Sequence, residues 1–360
     1  MKTVVVGMSG GVDSSVSAYL LKEAGYRVIG LFMKNWEDEQ CPAAVDFQDV
    51  ASVCRTLDIP YYAVNFVQEY RDRVFAKFLE ESQKGRTPNP DILCNREIKF
   101  DLFFRKAKEL GADYLATGHY ARTENGALLK GIDPTKDQSY FLYALKEEIL
   151  RQVLFPIGGL LKSEVRRLAR EKRLVTHDKQ DSTGICFVGE RKFRQFLSTH
   201  LPFQAGNFCR LDGQVVGPHI GVAYYTIGQR KGLGLGGPGD AWFVVDKDPM
   251  RNIVFVEQGG LHPALFADGL IYSQSTWIQE VPSLSSYTCK IRYRQPDQPC
   301  QLVDDQTVTF PHPQRAITPG QSVVFYKGDQ CLGGAVIESP FSSYYTLGKS
   351  LPTTLGTLSW

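Results

Sequence analysis

The sequence predicts an α/β protein: a parallel sheet covered by helices on both faces, followed by a small β-rich linker domain and a C-terminal β-barrel. Three observations predict it. Up to about residue 195, apolar strand-like runs alternate with segments whose apolar residues recur at helical spacing. The first run, Val4-Val5-Val6, leads straight into a glycine-rich turn. From about residue 205, Gly, Pro and short alternating runs replace the helices.

Strands are predicted over residues 4–6, 28–33, 61–66 and 114–118, with helices over 15–24, 46–57, 70–84 and 96–110. Such alternation implies a parallel sheet whose ligands bind beyond the carboxyl ends of its strands, where Ser9, Met33 and Gly118 fall. Short strands follow over 214–218, 222–227, 241–246 and 253–257. A third set, over 286–294, 301–303, 306–310, 322–326 and 332–338, has the length and turn spacing of a barrel or sandwich. The expected domains are therefore 1–200, 201–264 and 265–338, with 339–360 a weakly ordered tail.

The 360 residues exceed what one compact core holds, and 43% hydrophobic with 22% charged residues describes an ordinary soluble chain. No apolar run reaches the ~18 residues of a membrane span, and the chain enters a strand too early for a leader peptide. A cytoplasmic setting is expected. The eight cysteines (Cys41, Cys54, Cys94, Cys186, Cys209, Cys289, Cys300 and Cys331) include no Cys-x-x-Cys pair and no zinc-ligand spacing, so no metal site or disulfide framework is expected. The net charge is only +2, but Lys162, Arg166, Arg167, Arg170, Lys172 and Arg173 crowd one helical segment. That face suits RNA phosphates or, equally, solvent with Glu164 and Glu171 as partners.

Three segments carry chemistry. The turn Gly7-Met8-Ser9-Gly10-Gly11-Val12-Asp13-Ser14-Ser15 aims backbone N–H groups and a positive helix end at one point, a phosphate site. It lacks the lysine of the Gly-x-x-x-x-Gly-Lys-Ser/Thr loop. In Asn89-Pro90-Asp91-Ile92-Leu93-Cys94, a helix starting near Asp91 sets Asp91 and Cys94 on one face, lowers the thiol pKa and leaves Asp91 to move protons. In Asp181-Ser182-Thr183-Gly184-Ile185-Cys186, a cysteine ends a polar loop and is free to converge with Cys94. Near the barrel, Lys290, Arg292 and Arg294 alternate with Ile291 and Tyr293, which on a strand makes a row of cations. Arg230 and Lys231 offer a basic contact between glycines.

The first segment resembles the PP-loop of the ATP pyrophosphatases, whose sheet is of the adenine nucleotide α-hydrolase-like type. The three together, with Thr117-Gly118-His119-Tyr120, Lys136-Asp137-Gln138-Ser139-Tyr140 and Tyr225-Thr226-Ile227-Gly228-Gln229-Arg230-Lys231-Gly232, resemble the tRNA-specific 2-thiouridylase family, over most of the chain up to about residue 338. That resemblance implies replacement of O2 by sulfur on the wobble uridine of tRNA. The oxygen is first adenylated by ATP with Mg²⁺, releasing pyrophosphate and then AMP. It implies ATP against Gly7, Met8, Ser9, Gly10, Gly11, Val12, Asp13 and Ser14, with Met33 and Gly118 at the nucleoside. Cys186 would carry the sulfur as a persulfide received from a sulfur carrier protein or cysteine desulfurase. Cys94 would be the nucleophile, attacking the base or freeing the sulfur, and a Cys94–Cys186 disulfide would need a reductant. Asn89, Pro90 and Asp91 would hold the flipped base. His119, Lys136, Asp137, Gln138, Arg292 and Tyr293 would touch tRNA. Two rivals remain: another adenylating enzyme, such as a ligase acting on a small metabolite, which needs neither Cys94 nor Cys186, and an RNA-binding protein that does not cleave ATP.

Overall fold

The computed structural model describes residues 1–37, 43–181, 193–280 and 286–341. Its first unit is a five-stranded parallel sheet in the order β3-β2-β1-β4-β7. These strands are β1 Thr3–Met8, β2 Arg27–Lys34, β3 Tyr61–Asn65, β4 Tyr114–Thr117 and β7 Val153–Leu154. Branched residues make β1 a central strand: Val4, Val5 and Val6 are all 0% exposed. Their alternation divides the core. Val4, Val6 and Met8 pack with Val16, Val50 and Val165 on one face, while Val5 packs with Ile92, Phe100, Phe103 and Leu115 on the other.

The chain leaves β1 toward β2 on one side and returns to β4 on the other. The crevice at the carboxyl ends of β1 and β4 is thus the switch point where such sheets bind ligands. Helix α1, Val12–Glu23, begins there. The four expected strands form, and the expected helices each begin several residues earlier, including one continuous helix over 90–109 whose middle, Cys94–Leu102, takes π spacing.

A hairpin not foreseen from sequence, β5 Ala121–Glu124 and β6 Ala127–Lys130, leaves the first unit and pairs with the barrel through Cys331↔Leu128. The barrel strands are β12 Phe266–Trp277, β13 Ser286–Lys290, β14 Gln298–Leu302, β15 Thr307–Arg315, β16 Ser322–Lys327 and β17 Gln330–Phe341; they close in the order β12-β15-β14-β13-β16-β17, with β12 against β17. Strand β17 continues past Glu338 to Phe341, and the rest of the predicted tail lies outside the described residues. Between the two units, β8 Gly206–Cys209, β9 Val215–His219, β10 Trp242–Asp248 and β11 Ile253–Gln258 form a four-stranded sheet.

Two expected strands are corrected. Residues 222–227 do not form one: Gly221 turns the chain at φ 130° and Val222–Tyr224 coil into a 3₁₀ turn. Their alternation reflects burial of Val222, Tyr224 and Tyr225 in one cluster rather than strand pairing. The strand expected over 286–294 stops at Lys290, where Gln295 turns back to accept the Ile291 N–H at 3.0 Å.

Candidate active site

The glycine turn has the geometry its sequence implies. Gly10 lies at φ 76°, and a Cβ there would sit 2.7 Å from the Asp46 carbonyl oxygen. Ser14 Oγ accepts the Ser9 N–H at 3.2 Å and lies 3.2 Å from Ser9 Oγ, bracing the loop across its mouth. Gly11 is the N-cap of α1 and supplies no side-chain cap. The first N–H groups of the helix therefore keep the donor capacity that an anion uses. Gly118, just past β4, admits the second wall: a Cβ there would approach Ser14 N to 2.7 Å.

Asp13 is the charged centre of this end. Tyr120 donates its hydroxyl to Asp13 Oδ1 at 2.8 Å, and Lys162 Nζ lies 2.7 Å from the same oxygen. Burial, then the Asp13 charge, pushes the Tyr120 pKa up, so the phenol stays a donor. Lys162 also reaches Asp181 at 2.8 Å, and Lys136 and Arg166 pair with Asp181 at 2.7 and 2.8 Å. Burial opposes ionisation of Asp181, yet the hydrogen bonds from Lys136 and Lys162 hold its carboxyl below the ordinary value.

The second segment is built differently. Asn89 accepts the Asp91 N–H at 3.1 Å through Oδ1, and Pro90 fills the first helical position. Asn89 is thus the cap, and the helix starts at Pro90, beside the expected Asp91. One turn on, Cys94 is 1% exposed and belongs to an apolar cluster with Trp36, Ile98, Tyr225 and Val244. Burial raises the Asp91 pKa, and the Lys99 charge works against it. Desolvation, helped by the same Lys99, lowers that of His119 well below the ordinary histidine value. His119 is therefore neutral, with Nδ1 at 2.7 Å from Thr117 Oγ1 and its ring between Phe100 and Phe155. Helix 90–109 also meets the glycine turn, since Phe103 would touch a Cβ on Gly7 at 3.2 Å.

Met33, at the end of β2, is partly buried against both apolar clusters beside the crevice. Of the Lys136-Asp137-Gln138 run, only Lys136 sends its charge to the crevice. Asp137 is 6% exposed and accepts from Gly131 N, Ser139 N and Ser139 Oγ; Gln138 Oε1 accepts the Tyr120 N–H at 3.0 Å. The row of cations near the barrel does not form. Arg292 turns inward and donates to the Ile227 and Ala316 carbonyls, each at 2.9 Å, tying the linker domain to the barrel, while Lys290 lies 3.5 Å from Asp137. Tyr293 packs on Phe141, ring centroids 4.4 Å apart.

The basic helix is likewise not a free face. In Lys162–Glu171, Arg167 pairs with Glu171, Arg170 with Asp178, and Arg166 also holds the His177 and Lys179 carbonyls. Cys186 and residues 182–187 of its motif lie outside the described residues. Sequence reasoning missed Lys162 and Tyr120 as parts of the glycine-turn site. Lys162 is hidden among other cations, and its place beside Asp13 depends on a contact between residues 149 positions apart. Among the described residues, no cluster of His, Cys, Asp or Glu could hold a metal ion by itself.

A glycine turn at the switch point of a parallel sheet, with a carboxylate beside it and a buried cysteine one helical turn from a second carboxylate, is the arrangement of a PP-loop-type enzyme. Residues 2–190 match the family described as tRNA methyl transferase HUP domain, 194–258 that described as tRNA methyl transferase PRC-barrel domain, and 267–337 that described as aminomethyltransferase beta-barrel domain. The chain is 61% identical to the tRNA-specific 2-thiouridylase MnmA of Protochlamydia amoebophila, over 98% of this chain and 97% of that one. It is 57% identical to the Hahella chejuensis protein of the same name (94% and 98% covered) and 55% to that of Staphylococcus carnosus (94% and 95%). The chain belongs to the tRNA-specific 2-thiouridylase family.

Proposed function

We propose that the protein thiolates tRNA: it adenylates O2 of the wobble uridine with ATP and replaces that oxygen by sulfur. The observation that supports this best is the match to the 2-thiouridylases, which runs through all three structural units at 61% identity. A uracil carbonyl oxygen leaves poorly, so the energy of ATP is used to convert it into part of a phosphate ester. The triphosphate lies on the N–H groups of Gly10–Ser14, with Met33 and Gly118 at its nucleoside. Mg²⁺ would come with ATP to offset phosphate charge, and Asp13, whose oxygens hold Lys162 and Tyr120 in this structure, would be the carboxylate that binds it.

The anticodon base enters beside Asn89, Pro90 and Asp91. The raised Asp91 pKa keeps a proton available nearer neutrality for transfer at the reacting base. Cys186 carries the sulfur as a persulfide, received from a persulfide-donating carrier or desulfurase. Cys94 attacks that persulfide and frees the sulfur, or adds first to the base. By either route AMP departs with the uridine oxygen, and the two thiols finish as a disulfide that an external thiol reduces. His119, Lys136 and Tyr293 line the approach of the tRNA. Asp137, Gln138 and Arg292 act behind them by fixing that wall. The reaction belongs to the cytoplasm, where tRNA and reducing thiols are found, and among the described residues no helix is long and apolar enough to cross a membrane.

The test is incubation of the full chain with ATP, unmodified tRNA and a persulfide donor, followed by mass analysis of the anticodon nucleosides. Sulfur in place of oxygen on uridine is the expected result. A methyl gain instead, or ATP cleavage with no change in the tRNA, overturns the reading. Retention of full turnover by both Cys94→Ser and Cys186→Ser removes the persulfide route.

A further inference from the structure

We propose that Lys162 is the exchangeable cation of the phosphate site, resting on Asp13 and Asp181 without nucleotide and moving onto the phosphates of a bound nucleoside triphosphate. The glycine turn has no lysine of its own. The fold brings one in from the start of the helix Lys162–Glu171, and its Nζ lies 2.7 Å from Asp13, the second residue of α1. It is thus already at the positive helix end where phosphate collects. The Lys162 side chain is only 12% exposed, which excludes a loosely solvated surface pair.

The partners are arranged so that the lysine can leave. Asp181 keeps Lys136 and Arg166 when Lys162 departs, and Asp13 keeps the Tyr120 hydroxyl. Neither carboxylate is stranded, so the exchange avoids the cost of leaving a buried charge without a partner. Three carboxylates, Asp13, Asp133 and Asp181, face Lys136, Lys162 and Arg166 here, so an incoming phosphate competes with carboxylates for the lysine. The base of the lysine stays put: its backbone N–H donates to Asp133 Oδ2 at 3.0 Å. Only the flexible stem has to swing. A purely structural bridge gives the same resting distances but makes a different prediction about ligand affinity.

The inference rests on ATP being the nucleotide of this site, and its test separates the two. ATP binding to the full chain is measured by calorimetry without tRNA or sulfur donor. Absence of ATP binding by the unaltered protein would overturn the function reading along with this one. Given that binding, Lys162→Met is expected to weaken ATP about 10- to 100-fold, with adenosine affinity changed less than about threefold. Asp181→Asn, which removes a competitor for the lysine, is expected to tighten ATP by a few fold. Unchanged ATP affinity in Lys162→Met overturns the proposal. Should Lys162→Met fail to fold, Asp181→Asn decides: tighter binding supports the exchange, and unchanged or weaker binding overturns it.

Discussion

The two ends of the site are held in opposite ways. At the glycine turn the governing side chains are charged and come from the first unit alone: Asp13, Lys136, Lys162, Arg166 and Asp181, with Tyr120. At the thiol end the contacts around the cysteine are apolar and shared with the linker domain, and polar contacts tie the preceding segment to the barrel. Cys94 lies in a cluster with linker-domain residues. The segment before it is fastened to the barrel, with Thr87 N donating to the Pro319 carbonyl at 2.9 Å and Arg86 pairing with Glu338 at 2.5 Å. A charged network tolerates exchange of partners because its members are paired more than once. An apolar, multi-domain clamp holds one geometry and resists movement. Nucleotide binding and sulfur chemistry should therefore fail separately.

Cys94→Ser should separate them most sharply. Thiolation is expected to fall at least ~1,000-fold while ATP affinity is retained, because the substitution removes the proposed nucleophile without touching the glycine turn. Nucleoside mass analysis beside calorimetry reads both. Loss of ATP binding in this variant would mean the ends are one unit.

Gly118→Val attacks the other end. Its first side-chain atom falls 2.7 Å from Ser14 N, so β4 and α1 must part. The expected cost is about 1–3 kcal/mol in urea unfolding, with ATP binding weakened at least ~10-fold.

Glu338→Gln tests the barrel clamp. The Arg86 hydrogen bond, against partial burial, holds the Glu338 carboxyl below its ordinary value. Its stabilising contribution is present above the ordinary carboxylate pKa and is lost as pH falls through the lowered one. The variant should lose about 1–2 kcal/mol at neutral pH, and the gap in thermal midpoint should close on acidification. Thiolation should fall more than ATP affinity.

Asp91→Asn gives the smallest effect on stability and the opposite sign. Burial raises the Asp91 pKa, so its contribution is present below the ordinary carboxylate value and is lost as pH climbs through the raised one. The variant should gain thermal stability relative to the parent as pH rises from mildly acidic to neutral. A gap independent of pH would show that Asp91 titrates normally.

Much of this was legible in the chain. The Val4–Val6 run and its glycines announce a central parallel strand and a phosphate turn, because both signals are local. Pro90 announces the helix start for the same reason. The alternating cations at 290–294 misled, because a strand pattern was read where Gln295 and the Ile227 carbonyl turn the backbone and draw Arg292 inward. For the six-cation helix the sequence left RNA and a solvated, acid-paired face equally open; Arg167 does pair with Glu171, whereas the Arg170–Asp178 and Arg166–Asp181 pairs depend on the fold. Hairpin β5–β6 was missed although its turn, Asn125-Gly126 with both residues at positive φ, is a local signal; only its pairing with β17 depends on a distant segment.

The central strand, the glycine turn after it and the helix start at Pro90 follow from steric properties of adjacent residues, and the chain alone is enough to read them. That Lys162 stands beside Asp13, that Asp137 and Arg292 are braces, and that Cys94 is enclosed by a second domain came from the packed fold. Those outcomes depend on which distant groups share a desolvated space, where pairing and burial are settled by the whole packing rather than by any one segment.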